Sequence, residues 1–308
     1  MILHEFPNLQ WLKSQAESRF RDRRGVGGIV LDDPGWPSVI LNTRVRSTVR
    51  DNIRGPLSIF TNLSGTSYVT VDKKRAAVTP QTFFISNSQQ HYTLEIDKKP
   101  AETFNIHFGE NFIEKALAGI LQREDQLLLN EPNGVRDFGF YNKIVPASGG
   151  FQRIIASIQQ EGSDRLYLDE KLFDLLSLLL NEQNSVKAMR ERLPSLKAST
   201  KGEIMKRMVN ATDYIYTYYD KNPSLDELAA VSCLSKFHFL RLFKIAYHQT
   251  PRQFITTLRI ERAKTLLQKT VADVRSIGAE VGFKDSSSFS RAFYNQVGVY
   301  PSQFRGKI

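Results

Sequence analysis

Cysteine is almost missing: Cys233 is the only one among 308 residues. A single thiol closes no intrachain disulfide and builds no cysteine-zinc cluster, so the sequence has no mark of an oxidising compartment. The expected place for Cys233 is a small, buried apolar site. Long apolar runs are missing as well. None approaches the roughly 18 residues of a membrane-spanning helix, and the most apolar stretch, Leu172 to Leu180, is broken by Asp174. The first residues, MILHEFPNLQ, have neither the basic start nor the long apolar centre of a secretory signal. The expectation is a cytoplasmic protein with no membrane partner. The signatures of common chemistries are absent too: there is no P-loop, no GxGxxG between a strand and a helix, no GxSxG elbow and no paired-carboxylate signature. The run Gly25 to Gly28 is too short for a dinucleotide loop and precedes a strand instead of following one. Neither an enzyme nor a cofactor is expected.

Apolar residues make up 41% of the chain. That fills real cores, and the length suits two domains, or two and a helical connector. The net charge is +10, unevenly spread. Glu203 to Ile308 holds 16 Lys and Arg against 9 Asp and Glu, whereas the other 202 residues hold 26 against 23. An excess in the last third admits nucleic acid as a partner.

Residues 1–24 read as a short amphipathic helix ending in RFRDRR. From Gly25 to about Gly109, short β-branched and aromatic runs (GGIVL, PSVILNTRV, PLSIFTNL, SYVTV, TFFIS, HYTLEI, TFNIHF) alternate with turn residues. That is the texture of an antiparallel sandwich or barrel. Asp72-Lys73-Lys74 and Asp97-Lys98-Lys99 suit hairpin turns. Beyond Gly109 the period becomes helical. Phe112, Ala116, Leu117, Ile120 and Leu121 share a face; residues 122–150 read mostly as loop. Two more amphipathic helices follow, one with Ile154, Ile155 and Ile158, the other with Leu172, Leu175, Leu176, Leu179 and Leu180. The second either packs on the sheet or forms a dimer seam, with Leu172, Leu176 and Leu179 as contacts. Residues 194–202, PSLKASTKG, make the best boundary. The fold class is therefore α+β. A domain over 1–193 has strands at about 25–109 and helices at about 110–193; a linker over 194–202 leads to an all-α domain over 203–308.

The last hundred or so residues contain a repeat. Phe239, Arg241 and Phe243 are matched 50 residues later by Phe289, Arg291 and Phe293, and Pro251, Gln253 and Phe254 by Pro301, Gln303 and Phe304. Upstream, Val231-Ser232-Cys233 is set against Val281-Gly282-Phe283. Ser224 suits an N-cap, with Asp226 and Glu227 at the positive helix end. Ser235 caps the next helix; in the second copy Gly282 ends one helix with positive φ, and Asp285 or Ser286 starts the next. Two short helices joined by a tight turn are the helix-turn-helix geometry. Pro251 to about Gln268 forms a helix between the copies, started by proline, with Phe254, Ile255, Leu258, Ala263 and Leu266 on its apolar side.

The second helix of each copy has two faces. Phe239, Leu242, Phe243 and Ala246 follow helical spacing and point inward, which leaves Phe237, Leu240, Arg241 and Lys244 outward. Phe237 and Leu240 suit a face lying in a major groove, where apolar groups touch thymine methyls and Arg forks onto guanine. In the second copy Phe289, Ala292 and Phe293 point inward, and Ser286, Ser287, Ser288, Ser290 and Arg291 outward. That face is small, polar and free of acids, so it can approach DNA closely.

The segment from about 206 to 305 resembles the AraC/XylS family of bacterial transcription regulators. The likeness rests on Leu228-Ala229, SKFHFLRLFK, TPRQF, RIERAKTLL and VGFKDSSSFSRAFYNQVGVYPSQFR. It implies one chain placing two recognition helices in successive major grooves of double-stranded DNA, with RNA polymerase as a further partner. Phe237, Leu240, Arg241, Ser287, Ser288 and Arg291 then take base-side positions. Lys236, His238, Thr250, Arg252, Ser302 and Gln303 meet phosphates, which position but do not specify. Gly278 stands where the family usually has Ala, and Tyr294-Asn295 where it has two basic residues. A glycine inside a helix costs about 1 kcal/mol against alanine, so the second copy is expected to be softer and to bind DNA more weakly.

Residues 25–109 look like the cupin-type barrel that often precedes this module, where the barrel binds a small effector and the following helices form a homodimer. His91, Phe84 and His107 are the pocket candidates. The five histidines form no His-x-His pair. His91 and Glu95 share a strand face, and His107 can join them as a metal site only by convergence; no metal is the expectation. Three readings stand open: an effector-gated regulator, a regulator without a small molecule that is set by a partner protein or its own level, and a cupin enzyme with a DNA-binding tail. A barrel packed with Phe60, Phe83, Phe84 and Phe104 separates the first two, because it has no room for a ligand.

Overall fold

The computed structural model describes residues 2–5, 38–97, 99–125, 139–161, 164–194 and 197–305. The helix expected over 1–24, apart from residues 2–5, and the run GGIVL lie outside them. The chain divides into two compact units, Met1–Asn184 and Ser185–Ile308.

Among the described residues the first unit has ten strands, the first of them in the stretch expected as a helix: β1 Ile2–Leu3, β2 Val39–Val45, β3 Thr48–Arg54, β4 Ser58–Ser64, β5 Ser67–Val71, β6 Lys74–Val78, β7 Thr82–Ser86, β8 His91–Ile96, β9 Ala101–His107 and β10 Lys143–Pro146. They form two sheets, β1-β2-β9-β4-β7-β10 and β3-β8-β5-β6. All pairs are antiparallel except β1 with β2. Asp72 and Lys73 both have positive φ, as a two-residue type I′ hairpin between β5 and β6 requires. The turn expected at 97–99 is not a hairpin. It connects β8 in the small sheet to β9 in the large one, so it is a crossover that local turn chemistry does not distinguish. β10 lies in the stretch read as loop and pairs with β7.

The large sheet has two different faces. Ile59, Phe83, Ile85, Phe104 and Ile106 join one apolar cluster with residues of three helices, α1 Glu110–Asp125, α2 Gly149–Glu161 and α3 Arg165–Arg192. Phe83 and Phe151 stack at 4.2 Å. Leu172, Leu175, Leu176 and Leu179 are buried in this cluster. Leu172, Leu176 and Leu179 are thus covered within their own chain by a cluster that includes residues of the large sheet. Because alternate residues of a strand face opposite ways, Phe60 and Phe84 face the small sheet, whereas Phe83 and Phe104 do not. Of the four phenylalanines expected to fill a barrel, two face the helices.

The second unit is helical: α4 Ala198–Tyr218, a 3-10 turn Tyr219–Lys221, α5 Leu225–Val231, α6 Lys236–Tyr247, α7 Pro251–Lys269, α8 Val274–Glu280, α9 Ser286–Val297 and α10 Pro301–Arg305. The expected linker ends in helix, since α4 begins at Ala198. Among the described residues no helix is long and apolar enough to cross a membrane.

Candidate nucleic-acid interface

Local chemistry sets the two copies. Ser224 accepts from the Glu227 amide, and Glu227 reaches back to the Ser224 amide, a capping box that starts α5. Ser235 accepts from the His238 amide and starts α6. Asp273 starts α8 in the same way, and Asp285 starts α9 by accepting from the Ser288 amide at 2.7 Å. The Asp285 carboxyl is held below its ordinary range by these bonds from Ser288.

The turns carry a correction. Cys233 has φ 51° and Gly282 has φ 98°. The Leu234 amide donates to Ala229 O, and the Phe283 amide to Gly278 O. Cys233 therefore corresponds to Gly282, not to Phe283, and the offset is 49 residues through the turn and 50 in the helices that follow. The second turn is one residue longer. Cys233 is exposed, contrary to the expected buried site, because the left-handed turn points it outward.

The faces of α6 and α9 fall as the periodicity requires. Phe239, Leu242, Phe243 and Ala246 are buried, and so are Phe289 and Phe293. On the other side Phe237 is 79% exposed and Leu240 37%; Arg241, Lys244, Ser286, Ser287 and Arg291 are exposed. Exposing a phenylalanine to water has no return in a free helix. Ser288 is more committed, since its hydroxyl donates to Asp285 at 2.8 Å.

Several residues expected at phosphates already have local work. Thr250 and Gln253 form the capping box that starts α7, and Gln303 accepts from the Tyr300 amide at 3.0 Å in α10. Lys236 pairs with Asp226 at 2.6 Å. His238, Arg252 and Ser302 are exposed.

Arg259 was not singled out from the sequence. It is 7% exposed and lies on α7, between the copies. Its Nε donates to Tyr219 O at 2.9 Å, and a terminal nitrogen donates to Tyr219 O and to Asn222 Oδ1. Its guanidinium lies 5.5 Å from the centre of the Phe283 ring. One side chain thus ties the end of α4, the helix between the copies and the turn of the second copy. The available signal was its position four residues from both Ile255 and Ala263, on the apolar stripe of α7. A cleft of about 590 Å³ opens beside it, lined by Leu240, Arg252, Lys284 and Ser288 among others.

Residues 228–307 match a family model described as a helix-turn-helix domain. The second unit carries an AraC-type helix-turn-helix domain. Over 165 residues the chain is 27% identical to the "Probable transcriptional regulator LumQ" of Photobacterium leiognathi, covering 49% of this chain and 66% of that protein. Over 117 residues it is 34% identical to the MmsAB operon regulatory protein of Pseudomonas aeruginosa, covering 38% of each. The matches therefore span less than two thirds of either relative's length. The solved structure of ToxT from Vibrio cholerae aligns over 89% of this chain and 99% of its own, at 14% identity and a TM-score of 0.35. Within the AraC-type domain, α6 and α9 occupy the second-helix position of each helix-turn-helix, where a recognition helix sits.

Of the pocket candidates of the first unit, Phe84 and His107 lie on the same face of the large sheet, and His91 does not join them. His107 is buried and its Nδ1 lies 2.8 Å from Ser58 Oγ, while His91 is exposed and bonded to Asn52 at 2.8 Å. Glu95 pairs with Arg75 at 2.9 Å. Phe84 is buried. Among the described residues no three His, Cys, Asp or Glu side chains come together as metal ligands.

Proposed function

We propose that the chain is a cytoplasmic, sequence-specific transcription regulator that lays α6 and α9 in two successive major grooves of double-stranded DNA. The observation that carries this reading is the pair of exposed arginines, Arg241 and Arg291, at equivalent places on two helices whose opposite faces are buried. Phe237, Leu240 and Arg241 read bases from α6, and Ser286, Ser287, Ser288 and Arg291 from α9. Lys236, His238, Lys244, Thr250, Arg252, Ser302 and Gln303 meet phosphates. Lys236 then exchanges Asp226 for DNA, and Thr250 and Gln303 contribute through the helix starts they cap, where amides and dipole favour an anion.

Residues 203–308 act as the DNA-binding domain. Residues 1–193 act as a cupin-like effector and dimerisation domain, and the active species is a homodimer that meets RNA polymerase. A large sheet with a polar buried face supports the effector reading over control by a partner protein or by abundance. The test selects sites from random duplex with the full-length chain. Wild type is expected to yield two blocks about one turn apart; Arg241→Ala and Arg291→Ala are each expected to relax one block, at about 1–3 kcal/mol. Sequence-blind binding by the wild type would overturn the base-reading roles.

A further inference from the structure

The second helices of the two copies differ in charge. α6 carries Lys236, Arg241 and Lys244, and α9 carries Arg291 alone. At the 50-residue offset of these helices, Tyr294 stands where α6 has Lys244, and Tyr300 stands where the first copy has Thr250. Tyr294 follows Ser287 by seven residues and Arg291 by three, so it extends their outward stripe. Tyr294 is 45% exposed and Tyr300 47%. Their rings stack, with centres 4.8 Å apart and planes 29° apart.

The helix starts that follow differ too. The Thr250 hydroxyl accepts from the Gln253 amide and so caps α7. Tyr300 keeps only the other half of that box: its amide donates to Gln303 Oε1 at 3.0 Å. Its hydroxyl sits at the far end of a ring, out of reach of its own helix start. Among the described residues neither the Tyr294 nor the Tyr300 hydroxyl has a hydrogen-bond partner. A tyrosine joins an apolar body to a polar tip. Stacking holds the two bodies against each other and leaves both tips free to meet an acceptor.

We propose that Tyr294 and Tyr300 form a neutral clamp on the DNA backbone, each hydroxyl donating to a phosphate oxygen beside the groove that α9 enters. This rests on reading α9 as a recognition helix. A phosphate accepts from a tyrosine hydroxyl as it does from a lysine, but a neutral donor releases no condensed counterion. The clamp therefore takes the place of Lys244 in the second copy without its salt dependence. An exposed aromatic pair also suits a protein partner. Two observations favour DNA: Tyr294 lies on the stripe of Arg291, and neither α9 nor α10 has an Asp or Glu to repel a phosphate. The clamp also revises the expectation of a weaker second copy. What that copy lacks in cations it replaces with hydroxyl contacts, and these persist at salt concentrations that weaken the first copy.

The test uses the full-length chain on a duplex that holds its selected site. Tyr294→Phe and Tyr300→Phe keep the stack and remove one hydroxyl each, so the melting temperature is expected to hold. Each is expected to weaken binding by about tenfold, with the slope of log affinity against log salt unchanged. Tyr294→Lys is expected to steepen that slope by about 0.9. Hydroxyl-free variants that bind like wild type overturn the clamp and leave the pair as a surface for a protein. A loss confined to one base sequence overturns the backbone role in favour of base reading. An unchanged slope in Tyr294→Lys sets residue 294 away from phosphate and overturns the clamp as well. Arg291→Ala separates the clamp from the reading beneath it. If Arg291→Ala leaves the second block as specific as in wild type, α9 is off the DNA and both fall. If it relaxes that block while the hydroxyl-free variants bind normally, the clamp alone falls.

Discussion

An alanine at Gly282 places its Cβ 2.6 Å from Asp220 O and 2.8 Å from an Arg259 nitrogen, on a backbone with φ +98°. Both the turn and the Arg259 contact oppose it. Gly282→Ala is expected to lose at least 1–3 kcal/mol, roughly the cost of one strained residue, in urea unfolding of the full chain. Gly278 reverses an expectation. Helix propensity predicts that alanine there adds about 1 kcal/mol, but its Cβ meets the Phe289 ring at 2.9 Å. The glycine lets α8 and α9 approach, so it is a packing device and not a soft spot. Gly278→Ala is expected to give no stabilisation in the same experiment. His107 bears on pH. Burial lowers its pKa from 6.5 to about 4. The folded state therefore favours neutral imidazole; the unfolded chain binds the extra proton as pH falls below 6.5. Stability from this group is complete above pH 6.5 and is lost between about 6.5 and 4, on the order of 3 kcal/mol in all. Denaturant titrations across that window are expected to show the loss in wild type and a flatter curve in His107→Gln.

Among the elements, α3 and the two helix-turn-helix copies were legible to different depths. The apolar stripe of α3 is plain in the sequence, but periodicity gives a face and not the partner of that face. Leu176 is fully buried against the sheet side, so Leu176→Ala is expected to cost about 2–5 kcal/mol while leaving any dimer intact. Equal stability with loss of the dimer, read by ultracentrifugation, would assign the stripe to a dimer seam. The starts of α5, α6 and α9 could be read directly, because a cap acts within three residues of itself, and the start of α7 from its proline. The register of the turns could not. Cys233 occupies a left-handed position that sequence favours for glycine, and only the hydrogen bonds of Leu234 and Phe283 show that it matches Gly282.

Across the whole molecule, charge and polarity are divided. The last 106 residues carry a net +7, and the remaining 202 carry +3. Phosphate neutralisation releases counterions, so affinity is expected to fall steeply with salt, with a logarithmic slope near −0.9 for each contact. Lys244→Ala is expected to weaken binding across all sequences and to reduce that slope by about 1; an unchanged slope would remove Lys244 from the phosphate contacts. The sequence by itself determined what depends on near neighbours: the strand-rich first part, the helical second part, the capped helix pairs, and the Phe and Arg repeat that marks their two faces. These signals lie within a few residues, or repeat at a fixed spacing. Tertiary structure decided what depends on residues far apart in the chain. It covered the Leu172–Leu179 stripe within its own chain, made the 97–99 turn a crossover, and sent Phe83 and Phe104 away from Phe60 and Phe84. It also made Arg259 a buried tie to Tyr219 and Asn222. In each case the deciding term is the contact or hydrogen bond made with a distant segment, and composition and period do not encode which segment that is.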